Sequence, residues 1–459
     1  MMRKLLLGLF TSFAVIACTH NIPQEAQPIA MPDAWLYAEA KPAQWPSKDW
    51  WQQFQSEELL FLQTLAQENN PALAAMAARL LQADYQLKIM GASKFPQADV
   101  SLGARHRARI SGGDESQLFN ADVAASYEVD VWGRLSAERR AAHWQWQGTR
   151  YEQQALMLSV SAEVGLRYIN YLALQEKLRI AQLQLETAEE VLRVVEARVN
   201  AGAVSPMDLM RQSTQVARQR AALHPLEQSL FTEYLELATL LGVSAKELAL
   251  KGDFKTLHEP QTQIGFPSEL LLRRPDLQQE ETKLRVAEAN VEAARAALFP
   301  AVRLTASTGQ TGDTWAELWR GSWLYNIGAS VTQPIFQGGK LKAAHQLSQA
   351  QQVELLEAYR GVLLTAFTEV EVALRQVDAI EAEQVVQRQV LATSQELFRL
   401  AQSRYREGAD DLLSLLEAQQ SLYSAQDALL LLQQQRMQAH IMLFRALGGG
   451  WELGQNARH

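Results

Sequence analysis

The stretch RLSAERRAAHWQWQGTRYEQQALMLSVSAEVGLRYINYLALQEKLRIAQLQLETAEEVLRVVEARVN, Arg134–Asn200, holds no proline and decides the fold. It follows a strand-like segment ending VDVWG (Val129–Gly133) and stops at the turn NAGAVSP (Asn200–Pro206). Read as one helix at about 1.5 Å per residue, it is about 100 Å long. Ordinary domains use helices of about three turns. Its second half carries a coiled-coil seam. Leu174, Leu178, Ala181, Leu185, Ala188, Leu192, Val195 and Val199 alternate spacings of four and three. A polar helix of this length needs partner helices along it.

The rest of the chain supplies them, because the sequence is written twice. NPALAAMAARLLQADYQLKIMGASKFP (Asn70–Pro96) aligns with RPDLQQEETKLRVAEANVEAARAALFP (Arg274–Pro300), with Pro71 on Pro275 and Phe95 on Phe299, an offset of 204. Further on the offset is 206, with Gly133 on Gly339, Glu163-Val164 on Glu369-Val370, Gly202 on Gly408 and Leu241-Gly242 on Leu447-Gly448. The step of two falls inside the strand hairpins, where insertions are tolerated. The unit is far longer than a solenoid repeat, so this is a duplicated domain plan. Repeat 1 spans 57–242, with a strand hairpin at 97–131 and long helices at 134–200 and 206–241. A linker at 243–269 leads to repeat 2 at 270–447, with a hairpin at 300–335, helices at 340–406 and 411–447, and a tail at 448–459.

The start of the chain reads as an export signal. In MMRKLLLGLFTSFAVIAC, Arg3 and Lys4 precede an apolar run from Leu5 to Ile16, too short for a membrane-spanning helix. The ending Val15-Ile16-Ala17-Cys18 looks like a bacterial lipobox, which makes 1–17 a lipoprotein signal peptide and Cys18, the only cysteine, the site of lipid attachment. Thr19 stands where an aspartate would signal retention in the inner membrane, which favours the outer membrane. Residues 18–56 read as a proline-rich, lipid-anchored tether, with WWQQF (Trp50–Phe54) opening a short amphipathic helix that runs to about Glu68.

Four segments alternate with a period of two. In Asn120–Val131, Ala121, Val123, Ala125, Tyr127, Val129 and Val131 take one face and polar residues take most of the other. Val100 and Leu102, Val302 and Leu304, and Tyr325, Ile327 and Val331 do the same in the remaining three. Phe95, Trp132, Phe299 and Phe336 stand at the strand ends that join the helices, where one aromatic girdle of a transmembrane barrel belongs; Trp315, Trp319 and Trp323 lie near the other end. Four strands cannot close a barrel, about eight being the minimum, and an open edge is not tolerated in lipid. The residues therefore call for an obligate oligomer with a shared barrel on a bundle or tube of long helices.

What the sequence lacks is also informative. A formal charge of −8 over 459 residues offers no basic stripe for nucleic acid. No HExxH, no Walker loop, no GxSxG elbow and no dinucleotide fingerprint occurs, so enzyme chemistry has no foothold and no cofactor is expected beyond the covalent lipid on Cys18.

VDVWGRLSAERRAA (Val129–Ala142), ARVNAGAVSPMDLMRQ (Ala197–Gln212), IGFPSELLLRRPDL (Ile264–Leu277), AARAALFPAVRLTASTG (Ala293–Gly309), QPIFQGGKLKAA (Gln333–Ala344) and RYREGADDLLSLLEAQQSLYSAQ (Arg404–Gln426) together resemble the outer membrane factor, or TolC-like, family. The likeness is to its lipoprotein branch of OprM- and NodT-type efflux outlets, and with WWQQF it covers nearly the whole mature chain. The resemblance implies an α+β membrane protein: a homotrimer whose twelve-stranded outer-membrane β-barrel continues into a twelve-helix periplasmic α-barrel. It also implies a periplasmic adaptor and an inner-membrane pump of RND or ABC type as partners, and an exit duct for drugs, metals or other toxic small molecules as function.

The resemblance assigns roles at the periplasmic tips. Gly202, Ala203, Val204, Leu209, Gly408, Ala409 and Leu412 would meet the adaptor. Asp208 and Tyr405 would form a hydrogen-bonded latch between the inner and outer helix pairs. A second family link, arginine to threonine, is missing, because Asp410 and Met207 occupy its positions. Ser414 and Glu417 align with acidic rings that narrow the pore in some relatives, and Asp410 and Asp411 precede them by a turn; carboxylate rings there would attract cations. Arg273-Arg274-Pro275-Asp276 reads as a helix start whose arginines tie down the equatorial region. A type I protein-secretion outlet is the alternative within the fold, and a lipid-anchored periplasmic coiled-coil scaffold the alternative outside it.

Overall fold

The computed structural model describes residues 34–36, 46–108, 110, 115–261 and 267–450. The expected signal peptide, Cys18, most of the tether, residues 262–266 of the linker and the tail after 450 lie outside them. The order is α1 (Glu57–Asn69), α2 (Pro71–Ala92), β1 (Gln97–Arg107), β2 (Ser116–Val129), α3 (Arg134–Asn200) and α4 (Pro206–Leu241). After the linker come α5 (Leu270–Arg273), α6 (Pro275–Ala296), β3 (Ala301–Gly312), β4 (Leu324–Thr332), α7 (Lys340–Arg406) and α8 (Leu412–Ala446).

The lengths explain the layout. α3 and α7 have 67 residues each, α4 has 36 and α8 has 35. Each long helix is therefore paired with its returning partner over one half and with shorter helices over the other, α3 with α2 and α6 and α7 with α6. At about 1.5 Å per residue, the strand end and the turn end of α3 are about 100 Å apart. α4 runs unbroken through Pro225, even though proline removes a ladder donor and ordinarily kinks a helix.

The largest core sits midway, where α4 and α8 end. Tyr168, Ile169 and Leu172 of α3, Leu237 and Leu241 of α4, Ile441 and Phe444 of α8 and Phe254 of the linker are all buried there. The aromatic opening of the chain is part of this core, and here the structure corrects the sequence reading. Lys48–Phe54 is a 3-10 turn and not the start of α1; it ends at Gln55 in the left-handed region (φ 51°), and Ser56 begins α1 by accepting from the Leu59 N–H at 3.1 Å. Nor is the segment a tether. Trp50 stacks on Phe444 with ring centroids 4.2 Å apart, Trp50 and Phe54 are buried, and Trp35 is buried against Phe367. Removing rings of this size from water fixes a segment that proline content alone marks as extended.

The duplication extends to single hydrogen bonds. Asn70 caps α2 and donates its Nδ2 to the Leu240 carbonyl at 2.7 Å; its counterpart Arg274 donates Nη1 to the Ala446 carbonyl at 3.2 Å. Buried Arg274 also binds Asp276 at 2.6 Å and Glu369 at 2.7 Å, making it the equatorial tie between α6, α7 and the end of α8. Gly242 and Gly448, also counterparts, have φ of 72° and 90°. A Cβ on them would stand 2.1 Å from the Asn69 carbonyl oxygen and 2.4 Å from that of Arg273. Both obstacles are backbone, so neither can move aside.

Gly242→Ala and Gly448→Ala are each expected to destabilise the chain by about 1–3 kcal/mol, the cost of a strained backbone position. Gly361→Ala, in open space on exposed α7, is expected to be neutral or to stabilise by up to about 1 kcal/mol. Thermal unfolding followed by circular dichroism reads the order; equal midpoints for all three would contradict it.

Candidate functional site

Two regions carry the functional chemistry: the sheet at one end of the long helices and the turns at the other. The four strands form one antiparallel sheet in the order β1-β2-β3-β4. The register sorts the residues by face, since directly paired residues point the same way. Val100, Val123, Thr308 and Tyr325 form one row, and Ala98, Ala125, Ala306 and Ile327 the next. Tyr127, Leu304 and Ala329, then Val129, Val302 and Val331, complete an almost wholly apolar face. The opposite face carries Asp99, Ala124, Ser307 and Asn326, then Ser126, Thr305 and Gly328, then Glu128, Arg303 and Ser330.

The apolar face is uncovered in the single chain: Ile327 is 82% exposed and Val100 75%. The outer edges of β1 and β4 have no strand partner among the described residues. Phe95, Trp132, Phe299 and Phe336 are exposed at the helix-side border, where Trp132 stacks on Phe299 at 4.8 Å and donates Nε1–H to the Pro300 carbonyl at 2.8 Å. Trp323 is exposed at the far border, near a Phe119–Trp315–Trp319 cluster. Sequence reasoning passed over Asp130, which accepts from the Leu135 and Ser136 N–H groups at 2.9 and 2.8 Å and so caps the start of α3. Its signal was an aspartate just ahead of Gly133, which has no side chain to cap with.

The two turns are built alike. Gly202 and Gly408 take φ of 70° and 76°. The Ala203 N–H bonds the Arg198 carbonyl and the Ala409 N–H bonds that of Arg404, 2.8 and 2.9 Å. This is the Schellman closure, which needs a left-handed residue that glycine adopts without strain. Between the turns lies a buried cluster of Val191, Val195, Ala401, Tyr405, Leu412, Leu415 and Ala418.

Gly202, Ala203, Gly408 and Ala409 are exposed, and Val204 and Leu209 are half-buried. Leu412 corrects its assignment: it is buried in the cluster, so it supports the tip and offers no docking surface. The hydrogen bond between Asp208 and Tyr405 is a second correction. Asp208 closes a capping box with Ser205, accepting from the Ser205 N–H at 3.2 Å, and lies 3.8 Å from Arg211. The Tyr405 hydroxyl is buried without a hydrogen-bond partner among the described residues. Burial, together with the nearby Asp208 charge, raises the Tyr405 pKa above the usual tyrosine value, although Arg198 opposes the shift.

The acidic residues divide by role. Asp411 caps α8, accepting from the Ser414 N–H at 2.9 Å, and that bond holds its pKa below the usual aspartate value. Asp410 is held by Arg404 at 3.3 Å, and Glu417 is exposed about two turns further on. Sequence reasoning did not single out Arg198, whose guanidinium lies 4.6 Å over the Tyr405 ring. The match of Arg198 to Arg404 was legible from the duplication, but its partner was not.

The sequence profile described as outer membrane efflux protein matches residues 62–243 and 266–449, one stretch on each repeat. The chain belongs to the outer membrane efflux protein family. It is therefore an efflux component of the outer membrane, and its role is transport. The pyoverdine export outer membrane protein OpmQ of Pseudomonas putida is 38% identical over 460 residues, covering 97% of each chain. Outer membrane protein OprJ of Pseudomonas aeruginosa is 31% identical over 466 residues, covering 98% of this chain and 96% of that protein. Among solved structures, the open state of the Neisseria gonorrhoeae MtrE outer membrane channel has a TM-score of 0.84 at 28% identity, covering 94% of this chain and 98% of that one. The Campylobacter jejuni CmeC outer membrane channel, at 24% identity, shares the fold with a TM-score of 0.85 and covers 95% of each chain. An outer membrane efflux protein needs an apolar surface toward lipid and a polar passage within, and the sheet's two faces provide that division.

Ile327→Arg, on the apolar face, is expected to cost about 2–4 kcal/mol toward the middle of the membrane, whereas Asn326→Arg on the polar face is expected to cost little. Recovery of folded, heat-modifiable protein in outer-membrane fractions reads the difference. Equal recovery would reverse the assignment of the faces.

Proposed function

We propose that three copies of this chain, with four strands each, close a twelve-stranded barrel and stack their long helices into a periplasmic tunnel. The observation that carries this is the sheet, apolar on one face and, among the described residues, unpaired along both edges. In hydrocarbon every backbone N–H and C=O needs a partner, and a curved sheet finds them by meeting the sheets of neighbouring copies. The exposed aromatic residues then form the two girdles, and the polar face lines the passage.

The exposed turns at Gly202–Val204 and Gly408–Ala409 form the adaptor-facing end and close the tunnel at rest, and the adaptor couples it to a proton-driven or ATP-driven pump in the inner membrane. Glu417 and Asp410 of the copies form carboxylate rings in the constriction, with Ser414 between them, and draw cations toward the entrance. A diacylglycerol on Cys18 adds an anchor to each copy. The cargo is a small molecule, and the 38% identity to a pyoverdine export protein favours a secreted metal-chelating compound. Asp208 belongs to the same gate as the cap that stiffens the first turn of α4.

Native mass spectrometry of detergent-purified full chain is expected to give three subunits, and planar bilayers containing it are expected to conduct. A folded monomer without conductance would defeat the shared barrel. Glu417→Gln is expected to lower cation selectivity. Asp411→Asn, which keeps the helix cap while removing the charge, is expected to leave folding intact. In vivo, Cys18→Ser is expected to abolish palmitate labelling; undiminished labelling would rule out the anchor.

A further inference from the structure

The duplicated turns differ in one contact. Arg198, in the last turn of α3, reaches across to the end of α7. Its guanidinium lies 4.6 Å above the ring of Tyr405, and its Nη1 donates to the Tyr405 carbonyl. That carbonyl already accepts the Gly408 N–H at 3.0 Å, so the arginine takes its second lone pair. It does so at a helix C-terminus, where the exposed carbonyls favour a cation. A Cβ on Gly408 would stand 3.5 Å from Nη2, so the guanidinium lies against the turn as well. Beneath it Tyr405 is 1% exposed, seated on Val195, Leu412 and Leu415. One planar side chain thus engages the ring, the carbonyl and the turn of the second hairpin.

The contact is not a by-product of the repeated helix ends. The offset of 206 puts Arg404 where Arg198 stands and Val199 where Tyr405 stands. The counterpart arginine has no ring opposite it in the repeat, and it turns back to Asp410 of its own turn at 3.3 Å. A second polar tie between these helix ends, Arg406 to Glu190 at 2.6 Å, joins two side chains that are half exposed, where screening leaves an ion pair weak. The buried hydroxyl of Tyr405 makes no hydrogen bond among the described residues.

We propose that Arg198 is a gating residue that clasps the α7–α8 turn to the α3–α4 turn of the same chain through the face and carbonyl of Tyr405, and that opening the tunnel requires its release. The clasp stands in for the link that Met207 and Asp410 do not form. Arg198 acts by positioning the turns and touches no cargo. The inference rests on the proposed closure of the tunnel at these turns.

Single-channel recordings of the full-length protein in planar bilayers test it. Arg198→Ala is expected to raise the open fraction about tenfold, the effect of losing a stacked cation and its charge-assisted bond. Arg198→Lys keeps the charge but loses the planar fork, and is expected to fall between wild type and Arg198→Ala. Tyr405→Phe keeps ring and carbonyl and is expected to match wild type, whereas Tyr405→Leu is expected to open the channel as Arg198→Ala does. The double variant Arg198→Ala with Tyr405→Leu is expected to exceed neither single change. Arg220→Ala, which removes an exposed pair with Glu189, serves as the unchanged control. Wild-type behaviour of Arg198→Ala alongside an opened Tyr405→Phe would overturn the clasp and assign the gate to the tyrosine hydroxyl. If Arg198→Ala does not assemble, Arg198→Lys and Tyr405→Leu decide: a raised open fraction supports the clasp and wild-type recordings overturn it. A silent wild-type protein would instead overturn the channel reading on which the clasp stands.

Discussion

An unpaired backbone amide in hydrocarbon has no water to turn to, and this requirement shapes the whole chain. The sheet has an apolar face fit for lipid and two edges with no partner strand among the described residues. Its register leaves no ambiguity about the faces, because a slip of one residue would move every apolar side chain of a strand to the polar side. The proposed association of copies follows from those edges. The aromatic residues at the strand ends suit both sides of a membrane boundary, being apolar in body and, in Trp132, carrying a donor satisfied at its rim.

The helical part answers a different constraint, that of holding a helix of about 100 Å in register. α3 and α7 are each about twice as long as α4 and α8 and about three times as long as α2 and α6, so each needs two successive partners and a joint between them. The joint is the equatorial core, where helix ends leave carbonyls that need donors. Asn70 and Arg274 supply these at equivalent places with different side chains, and close glycine backbone contacts at Gly242 and Gly448 let the helix ends approach. The duplicated plan thus preserved hydrogen-bond geometry where it did not preserve residue identity.

Much of the architecture was legible because it rests on local signals. Proline-free runs, glycines before and after them and a period of two in the strands located the long helices to within a residue, since helix ends and turns are fixed by nearby backbone chemistry. The readings that failed turned mostly on partners distant in sequence, and one on a helix cap made three residues away. WWQQF looked like the start of a short amphipathic helix, but Trp50 had a ring to stack on nearly 400 residues away at Phe444. Leu412 looked like an exposed tip residue, but it is buried in a cluster that includes Val191 and Val195 of the first hairpin. Asp208 looked like a latch for Tyr405, yet its carboxylate was already committed to the first turn of its own helix. Arg198 went unremarked because its partner is the ring and carbonyl of a residue in the other repeat.

The sequence by itself determined the elements, their duplication and the two-faced character of the strands, because each follows from the periodicity and conformational preferences of neighbouring residues. It also carried the family, through motifs spread over nearly the whole chain. Only the tertiary structure decided which aromatic residues anchor the equator, which carbonyls Asn70 and Arg274 satisfy, and how the two turns are joined. Those outcomes depend on which distant surfaces meet, and a cation's choice between a carboxylate, a ring face and a helix-end carbonyl is settled by distance and burial once the helices are packed.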